Sequence, residues 1–463
     1  MTINLSPYTE YKESGLPWLG KVPVHWNVRK LRSILKEITE RNRPDLPLLS
    51  VVREKGVIVR DMDSKDENHN FIPDDLTNYK VVRKGQFAMN KMKAWQGSYG
   101  VSLYDGIVSP AYFVFEINKV GRDFFHAAIR SRAYVPFFTQ ASDGVRIGQW
   151  DLSKPRMREI PFAVPPSPEQ DAIVGFIRGF DAKVRRFVRN RRRLIEVLNE
   201  QKQAIINRAV TRGLDPNVHL KPSGIDWVNE IPEHWEVRRL KFLSRSVNEQ
   251  TSAKQPDEVY IALEHVESWT GRITLPDDDV SFDSQVKRFQ PNDVLFGKLR
   301  PYLAKVTRPQ NAGVCVGEFL VLRVTANEVL AGFLEHKLRS KRVIDLINGS
   351  TFGAKMPRAD WTFIGNVKFA YPPVSEQHAI IAHIHEKSAK IDQAISRAQR
   401  EVDLIREYRT RLITDVVTGK LDVCHLSPDI GDELAEPEDM DEDIDDEELL
   451  GDEEPELDEE AGA

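Results

Sequence analysis

Features of secreted, metal-bound and membrane proteins are scarce in this chain. Its 463 residues include only two cysteines, Cys315 and Cys424, which lie far apart and lack the paired spacing of a zinc site. We therefore expect neither a disulfide framework nor a structural metal. The N-terminus has no basic segment followed by an apolar run, and no apolar stretch reaches the roughly 18 residues of a membrane helix. These absences predict a cytoplasmic protein with no membrane association.

Motifs of enzymes that act on DNA are also missing. No GxxxxGK[ST] phosphate loop occurs, which excludes a nucleotide-driven motor. The YPPV segment at 371–374 has the prolines of an adenine methyltransferase motif without its amide or its trailing aromatic residue. The EHK segment at 335–337 fits a nuclease Glu-x-Lys pair, but the nearest Pro-Asp acids, Asp257 and Asp277, lie far upstream. We therefore expect no catalytic residue, no bound metal and no cofactor.

The formal net charge of -6 conceals a strong asymmetry. Residues 429–463 hold 20 of the 71 acidic residues and no Lys or Arg, so residues 1–428 carry 65 basic and 51 acidic residues, a net charge of +14. A basic body favours a polyanionic partner, most simply double-stranded DNA. The acidic tail is expected to be disordered, and it either serves solubility or mimics DNA and shields the basic surface.

The chain consists of two related halves. Residues 14–31 (SGLPWLGKVPVHWNVRKL) resemble residues 223–240 (SGIDWVNEIPEHWEVRRL) at a shift of 209 positions. Residues 162–177 (FAVPPSPEQDAIVGFI) resemble residues 369–384 (FAYPPVSEQHAIIAHI) at a shift of 207. Basic residues and a glycine between these anchors keep the same spacing: Lys91, Lys93 and Gly106 lie opposite Lys298, Arg300 and Gly313. Each half is therefore one module of about 200 residues.

Each module divides into a globular part and a long helix. Short β-branched or aromatic runs alternate with Gly- and Pro-bearing turns before each Pro-Pro pair, as expected of strands, and a helical period follows it. We predict an α+β fold with two pseudo-symmetric globular domains separated by two long antiparallel coiled-coil helices. The predicted segments are the globular domains 1–160 and 215–371, the helix regions 161–214 and 372–425, and the acidic tail 426–463.

Apolar seams on the two helices predict that the helices pair with each other. Both seams follow alternating steps of four and three residues, the spacing of a coiled coil. The seam of the first helix comprises Phe180, Val184, Phe187, Leu194, Leu198 and Ile205, with Arg191 and Gln201 at the skipped positions. The seam of the second comprises Ile391, Ile395, Ala398, Val402, Ile405, Leu412 and Val416, with Arg409 at the skipped position. Ser167-Pro168-Glu169 and Ser375-Glu376 indicate the helix starts, and Gly213 and Gly419 indicate the stops.

The arrangement resembles the specificity subunit of type I restriction-modification enzymes. The resemblance covers residues 14 to about 425 and is carried by the repeated HW-containing segments, the PPSPEQ and PPVSEQ helix entries and the VVTGKLDV string at 416–423. It implies that each globular domain is a target-recognition domain that reads one half of a split, asymmetric DNA site. It also implies that the helices set the half-site spacing and dock adenine methyltransferase subunits, two per chain, and that motor-nuclease subunits join for restriction.

Two loops in each module are the candidates for DNA contact, because they combine basic, amide and aromatic side chains with glycines. In the first module the candidates are Lys91, Lys93, Trp95, Gln96, Ser98, Tyr99, Arg146 and Gln149. In the second they are Lys298, Arg300, Tyr302, Lys305, Lys355 and Arg358. The structural alternative is that these segments are solvated hairpin tips.

Two further motifs have competing interpretations. The arginine run at 185–193 is a solvated helix face, a phosphate contact or a docking site for a partner subunit. The pairs His25-Trp26 and His234-Trp235 could indicate catalysis, but their position beside Pro23 and Pro232 favours a packed structural corner.

The sequence thus favours a non-catalytic DNA-specificity subunit, and two rival functions stay open. A coiled-coil scaffold that binds protein would not need the basic body. A nuclease or methyltransferase would need a motif that we do not find in the sequence. The bases read by each domain depend on loop conformations that the sequence does not reveal.

Overall fold

The computed structural model describes residues 5–15, 19–60, 75–146, 149–225, 227–275, 285–351 and 356–426. Most of the predicted acidic tail, 427–463, lies outside the described residues. The chain divides into two compact units: unit 1 is Met1–Arg192 with Gln399–Ala463, and unit 2 is Arg193–Ala398. Each unit therefore contains one globular domain and a part of each long helix. Unit 2 is one continuous segment, whereas unit 1 combines two separate segments of the chain.

The strands in the globular part of unit 1 are β1 (Tyr11–Glu13), β2 (Lys21–Pro23), β3 (Asn27–Lys30), β4 (Leu35–Ile38), β5 (Leu49–Val52), β6 (Gly56–Val59), β7 (Lys80–Val82), β8 (Phe87–Met89), β9 (Tyr99–Val101), β10 (Gly106–Val108), β11 (Phe113–Ile117), β12 (Ser142–Arg146), β13 (Gln149–Leu152) and β14 (Pro161–Val164). Four of them form an antiparallel sheet in the order β4-β11-β8-β9. The helices of unit 1 are α1 (Arg122–Ile129), α2 (Val135–Gln140) and α3 (Lys154–Glu159), and α4 (Ser167–Arg212) continues into unit 2. Phe87 and Phe115, on two strands of this sheet, pack in the core together with Phe125 of α1.

The strands of unit 2 are β15 (Leu220–Ile225), β16 (Val228–Pro232), β17 (Glu236–Arg239), β18 (Ser244–Val247), β19 (Gln250–Thr251), β20 (Val259–Ile261), β21 (Val286–Phe289), β22 (Val294–Gly297), β23 (Val306–Thr307), β24 (Gly313–Val316), β25 (Phe319–Val324) and β26 (Lys368–Tyr371). They include the equivalent four-stranded sheet, in the order β18-β25-β22-β23, and a second sheet in the order β19-β21-β24-β20. The helices of unit 2 are α5 (Ala331–Leu338), α6 (Lys341–Gly349) and α7 (Trp361–Ile364), and α8 (Val374–Val417) continues into unit 1. The predicted α+β class is confirmed.

The two repeated sequence anchors lie side by side in each unit. In unit 1, β3 from the first anchor pairs antiparallel with β14 from the second, and Arg29 lies opposite Phe162. In unit 2, β17 and β26 pair in the same register, and Arg238 lies opposite Phe369. The repeated segments are therefore the two strands that lead into and out of each globular domain.

The predicted ends of the long helices are confirmed. Helix α4 begins at Ser167 and helix α8 at Val374, directly after the two Pro-Pro pairs. Gly213 follows α4 with φ of 74° and Gly419 lies shortly after α8 with φ of 76°, the left-handed conformation that ends many helices and that glycine adopts without strain. Among the described residues, no helix combines the length and the apolar content that crossing a membrane requires.

Helices α4 and α8 pair antiparallel. In unit 1, Arg409 donates from Nε and Nη2 to the two carboxylate oxygens of Asp181 at 2.7 and 3.0 Å. Ten residues further along α4, Arg191 lies 2.8 Å from Glu401, which precedes Arg409 on α8. The contacts therefore advance along one helix and retreat along the other. In unit 2, Lys202 of α4 donates to Asp392 of α8 at 2.7 Å.

Most residues of the predicted α8 seam are buried. Ile391, Ala398, Val402, Leu412 and Val416 are buried. Ile395 and Ile405 are partly buried, and Arg409 occupies the skipped position through its ion pair with Asp181. The heptad spacing thus describes the buried face of this helix.

The predicted seam of α4 is partly wrong. Phe180 and Val184 are buried as expected, but Leu194 is 38% exposed. Beyond Val184 the buried residues shift by one position: Val188 rather than Phe187, Lys202 rather than Gln201, and Ile206 rather than Ile205. Phe187, Leu198 and Ile205 are only partly buried. The face from Phe180 to Ile206 follows the 3.6-residue period of a straight helix, from which a strict 3.5-residue repeat drifts.

Candidate nucleic-acid interface

A buried carboxylate holds the first long helix to the globular part of unit 1. Glu169, in the first turn of α4, accepts a hydrogen bond from Trp26 Nε1 at 2.7 Å and lies 2.8 Å from His25 Nε2. The hydroxyl of Tyr8 also donates to this carboxylate, and Trp26 is fully buried. His25 and Trp26 therefore form the packed corner that the sequence indicates.

The same corner recurs in unit 2. Glu376 in the first turn of α8 accepts from Trp235 Nε1 at 3.2 Å and lies 2.7 Å from His234 Nε2. The neighbouring glutamine Gln377 accepts from the backbone N–H of Leu330 at 2.8 Å. Each corner fixes the direction in which a long helix leaves its globular domain.

Sequence reasoning missed the role of these carboxylates. It identified Glu169 and Glu376 only as first-turn acids, which stabilise a helix N-terminus. The repeated Glu-Gln pair was the available signal, because Gln170 also accepts from a distant backbone N–H, that of Gly121, at 2.7 Å. A Glu-Gln pair kept in both modules indicates two side chains with fixed partners.

The two candidate loops of the first module lie together. The backbone N–H of Leu152 donates to the carbonyl of Lys91 at 3.1 Å, and the Lys91 side chain forms an ion pair with Asp151. The rings of Trp95 and Trp150 lie 5.3 Å apart. Trp150 and Asp151 were not among the sequence candidates, although they support two residues that were.

The side chains of this surface differ in accessibility. Lys93 is exposed, and Lys91, Trp95 and Gln96 are partly buried. Asp151 partly neutralises Lys91, so Lys93 is the cation most available to a phosphate or a base edge.

Two predicted contact residues of the first module require correction. Ser98 and Tyr99 are buried, and the Tyr99 ring lies 4.4 Å from that of Phe138. Burial also raises the pKa of the Tyr99 hydroxyl. Both residues lead into or belong to strand β9, whose side chains face the core, so they support the loop from beneath instead of facing a ligand.

Three predicted contact residues stay predictions. The backbones of Arg146 and Gln149 belong to β12 and β13, but their side chains lie outside the described part of the chain. Lys355 falls in the segment 352–355, which also lies outside the described residues.

The two candidate loops of the second module meet in the equivalent way. The backbone N–H of Ala359 donates to the carbonyl of Lys298 at 2.8 Å, and that of Arg300 donates to the carbonyl of Pro357 at 2.9 Å. The Lys298–Ala359 bond lies at the position of the Lys91–Leu152 bond after a shift of 207 residues. The same backbone frame therefore presents different side chains in the two modules.

Glu318 organises the cations of the second loop pair. Arg358 donates to its carboxylate at 3.0 Å, and Lys298 Nζ lies 4.0 Å from it. Arg300 is exposed, with φ of 50°. This left-handed backbone conformation is strained for a residue other than glycine. Such conformations concentrate at binding sites, which favours a functional role for the loop. Glu318 was missed by sequence reasoning, which searched for donors alone.

The remaining candidates of the second module divide between surface and interior. Tyr302 is 43% exposed. Lys305 is partly buried and donates to the carbonyl of Leu263 at 2.7 Å, and burial lowers the pKa of its ammonium group. Lys305 therefore already has a structural partner, whereas Tyr302 is open to a ligand.

The arginine run on α4 does not form one uniform face. Arg191 pairs with Glu401 and stacks over the Phe187 ring at 4.9 Å, so it belongs to the helix-pairing surface. Arg193 pairs with Glu196 on its own helix, and Arg186 is exposed. Within the described part of the chain, no group of three His, Cys, Asp or Glu side chains is placed to hold a metal ion.

Known proteins with similar sequences are specificity subunits. No protein-family model matches the chain. It is 20% identical over 351 residues to the specificity subunit of the type I restriction enzyme EcoDI of Escherichia coli, covering 71% of this chain and 77% of that protein. It is 21% identical over 438 residues to the putative type I restriction enzyme MjaX specificity subunit of Methanocaldococcus jannaschii, covering 89% of this chain and 98% of that protein.

A solved structure shares the fold. Its description names complex assembly and conformational transition of the type I R-M system, and it matches with a TM-score of 0.59 at 16% identity, covering 86% of this chain and 99% of that one. The repeated α+β modules with two long helices thus define the fold class. The chain is similar to type I restriction enzyme specificity subunits, and the resemblance drawn from its repeated motifs is confirmed.

Proposed function

We propose that this protein is the non-catalytic DNA-specificity subunit of a type I restriction-modification complex. Each globular domain reads one half of a bipartite, asymmetric site. The paired helices α4 and α8 set the half-site spacing and dock two adenine methyltransferase subunits, and motor-nuclease subunits join for restriction. No metal or cofactor is needed for this role, because recognition depends on side-chain donors and charge.

One observation carries the proposal: an identical frame supports divergent loops. The corner formed by Trp26 and Glu169 recurs with Trp235 and Glu376, and the Lys91–Leu152 backbone bond recurs in the second module. Side chains at equivalent positions of this frame differ: at a shift of 207, Gln96 and Asp151 of the first module correspond to Leu303 and Arg358 of the second. Two readers of different half-sites need such a frame, because the backbone position must repeat while the donors and acceptors change.

Charge favours DNA over a protein-only partner. Residues 1–428, with a net charge of +14, supply the cations that neutralise DNA phosphates. A coiled-coil scaffold that binds only protein does not require this excess of positive charge. Among the candidate side chains, Lys93 and Arg300 are exposed and carry no ion pair within the described residues. These cations are available to phosphates or to guanine edges.

The first experiment is selection from a random duplex library by this chain co-expressed with its methyltransferase partner, at near-physiological salt. We expect one site with two short defined halves around an undefined spacer. Recovery of no sequence preference by an intact complex would defeat the specificity hypothesis and favour the scaffold. Catalysis by the purified chain alone would instead establish the enzyme.

Single substitutions then assign each half-site to a module. Arg300→Gly removes the guanidinium and suits the left-handed backbone at this position. We expect relaxed selection, at a cost of about 1–3 kcal/mol for a lost base contact, confined to one half-site. Lys93→Ala is the matched variant in the first module and should affect only the other half. Equal changes in both halves after either substitution would contradict one reader per half-site.

A further inference from the structure

A basic groove opens beside the corner of unit 2. It has a volume of about 460 Å³, and its lining includes Arg238, Arg239, Phe242 and Lys368. Phe242 is 62% exposed, and Lys241 Nζ lies 5.6 Å from the centre of its ring. Arg238 is paired with Glu236 and Glu328. The cations left to a ligand beside the exposed ring are therefore Arg239, Lys241 and Lys368.

The first module carries a neutralised version of this surface. Lys30 and Arg32, the equivalents of Arg239 and Lys241, both pair with Glu159, at 2.5 and 2.7 Å. The hydrogen bond from Lys30 holds the pKa of Glu159 below its usual value. At the place of Phe242 the first module has Ser33.

The second module lacks the neutralising carboxylate. Asn366 occupies the position of Glu159, and its amide donates to the carbonyl of Thr362 at 2.7 Å instead of accepting from a cation. Within the described residues, neither Arg239 nor Lys241 has an ion-pairing carboxylate. Lys368, where the first module has Pro161, adds one more cation and donates to the carbonyl of Gly224 at 3.1 Å.

A short segment of the chain connects the groove to the candidate recognition loop. Arg358 of that loop forms a β-bridge with Leu299, and helix α7 begins three residues later, at Trp361. The carbonyl of Gly365, just after α7, accepts from the backbone N–H of Lys241 at 2.8 Å. The groove therefore belongs to the same globular domain and lies a few residues along the chain from the loop.

We propose that this groove is a second DNA contact, which binds the phosphate backbone and is present in the second module alone. Arg239, Lys241 and Lys368 donate to phosphate oxygens, and the Phe242 ring packs against the deoxyribose between them. The inference rests on the proposed function, since it assumes that the chain binds DNA. It makes the two readers unequal: one gains extra affinity that does not depend on sequence.

The occupant is argued from charge and chemistry. Arg and Lys are the usual donors to phosphate, and such contacts position a protein on the duplex without reading bases. An acidic protein segment could offer carboxylates to the same cations, so a protein occupant is an outcome of the test. DNA is favoured because the described cations Arg239 and Lys241 have no carboxylate partner, the body of the chain carries a net charge of +14, and the groove belongs to a domain whose loops are candidates for DNA contact.

The test substitutes Asn366→Glu, which installs the carboxylate that the first module uses to neutralise its cations. The assembled complex, this chain with its methyltransferase partner, is titrated with its selected duplex over a range of salt concentrations. Each phosphate contact contributes about 0.9 to the slope of log affinity against log salt. We expect Asn366→Glu to make this slope less negative by about 1 to 2.

Three controls isolate the groove. Asn366→Ala removes the amide contact to Thr362 without adding charge, and should keep the wild-type slope. Arg239→Ala should make the slope less negative by about 1. Lys30→Ala changes the equivalent residue of the first module, which Glu159 already neutralises, and should leave the slope unchanged. Site preference should be the same in all variants, because the groove reads no bases.

The outcomes separate this inference from the proposed function. If the wild-type complex selects no sequence, the proposed function fails. If the wild type is selective and Asn366→Glu has the wild-type slope, the groove does not bind DNA and the proposed function stands. If Asn366→Glu blocks assembly with the methyltransferase and leaves the DNA slope of the assembled fraction unchanged, the groove docks a protein and our inference is overturned.

Discussion

Lys337 is a cationic side chain inside the core of unit 2. Lys337 is only 1% exposed, and its Nζ donates a hydrogen bond to the carbonyl of Val210 near the end of helix α4. The rings of Trp227 and Trp235 lie 5.8 and 5.7 Å from Nζ. The first module has Ala128 at the equivalent position, so this contact is particular to the second.

Burial lowers the pKa of Lys337 to about 7. In the unfolded chain the pKa of a lysine side chain is about 10.4. Between these values the unfolded state binds a proton that the folded state does not, so the free energy of unfolding should rise with pH by at most about 1.4 kcal/mol per pH unit. Lys337→Met should remove this rise.

Chemical denaturation of wild type and variant at several pH values from about 7 to 10 measures the difference. A wild-type slope retained by Lys337→Met would show that other groups cause the pH dependence. Below about pH 7 both states hold the proton, so the two proteins should then differ by a constant amount.

At the scale of elements, the register of α4 against α8 depends on ion pairs within an apolar seam. Arg409 and Asp181 have side chains only 26% and 15% exposed and share two hydrogen bonds. A cation on one helix and an anion on the other select one alignment, because a shift by one turn breaks both hydrogen bonds between these partly buried charges.

We predict a measurable coupling between Asp181 and Arg409. Each single substitution, Asp181→Ala or Arg409→Ala, should lower the free energy of unfolding by about 1–3 kcal/mol, since it leaves the partner charge partly buried. The double variant should lose less than the sum of the single losses, and a double-mutant cycle from denaturant unfolding measures this coupling.

The exposed pair of Arg193 and Glu196 on the same helix is the matched control. Its coupling should be smaller, because solvent screens charges at the surface. Equal coupling in both cycles would contradict a register role for the seam pair.

At the scale of the whole molecule, charge is segregated along the chain. Residues 1–428 carry a net charge of +14, and residues 429–463 hold 20 acidic residues and no Lys or Arg. Non-specific DNA affinity depends on net positive charge and on salt. A tail that competes with DNA for the basic surface would therefore lower non-specific binding before assembly.

Deletion of residues 429–463 should raise the affinity of the chain for random duplex DNA at low salt, and the increase should vanish at high salt. Electrophoretic or fluorescence titration measures it. A tail of equal length with Asn and Gln in place of Asp and Glu is the control, and should behave like the deletion. Unchanged binding in both proteins would leave solubility as the role of the tail.

Much of the architecture was predictable because its signals are local or repeated. The starts of α4 and α8 follow Pro-Pro pairs, and Gly213 and Gly419 end them with positive φ. The seam of α8 follows its apolar spacing. The seam of α4 does not beyond Val184, since several apolar residues there occupy neighbouring positions and only packing decides which of them is buried.

The candidate site was predictable at the level of loops and less so at the level of residues. The loops around Lys91 and Lys298 meet the predicted second loops in each unit. Tyr99, however, faces the core while nearby Lys93 is exposed, and the sequence alone does not show where strand β9 begins. Glu318 and Asp151 were not predicted, because a carboxylate that orients a neighbouring cation has no sequence motif of its own.

The sequence by itself determined the duplication, the two long helices with their ends, and the separation of a basic body from an acidic tail. These properties follow from composition, spacing and short-range backbone preference. Only the tertiary structure decided that the two anchors pair as β3 with β14, that Glu169 accepts from Trp26, and that Glu159 pairs with both Lys30 and Arg32. Each of these contacts joins residues more than 100 positions apart, and such partners are selected by packing and charge in the folded chain.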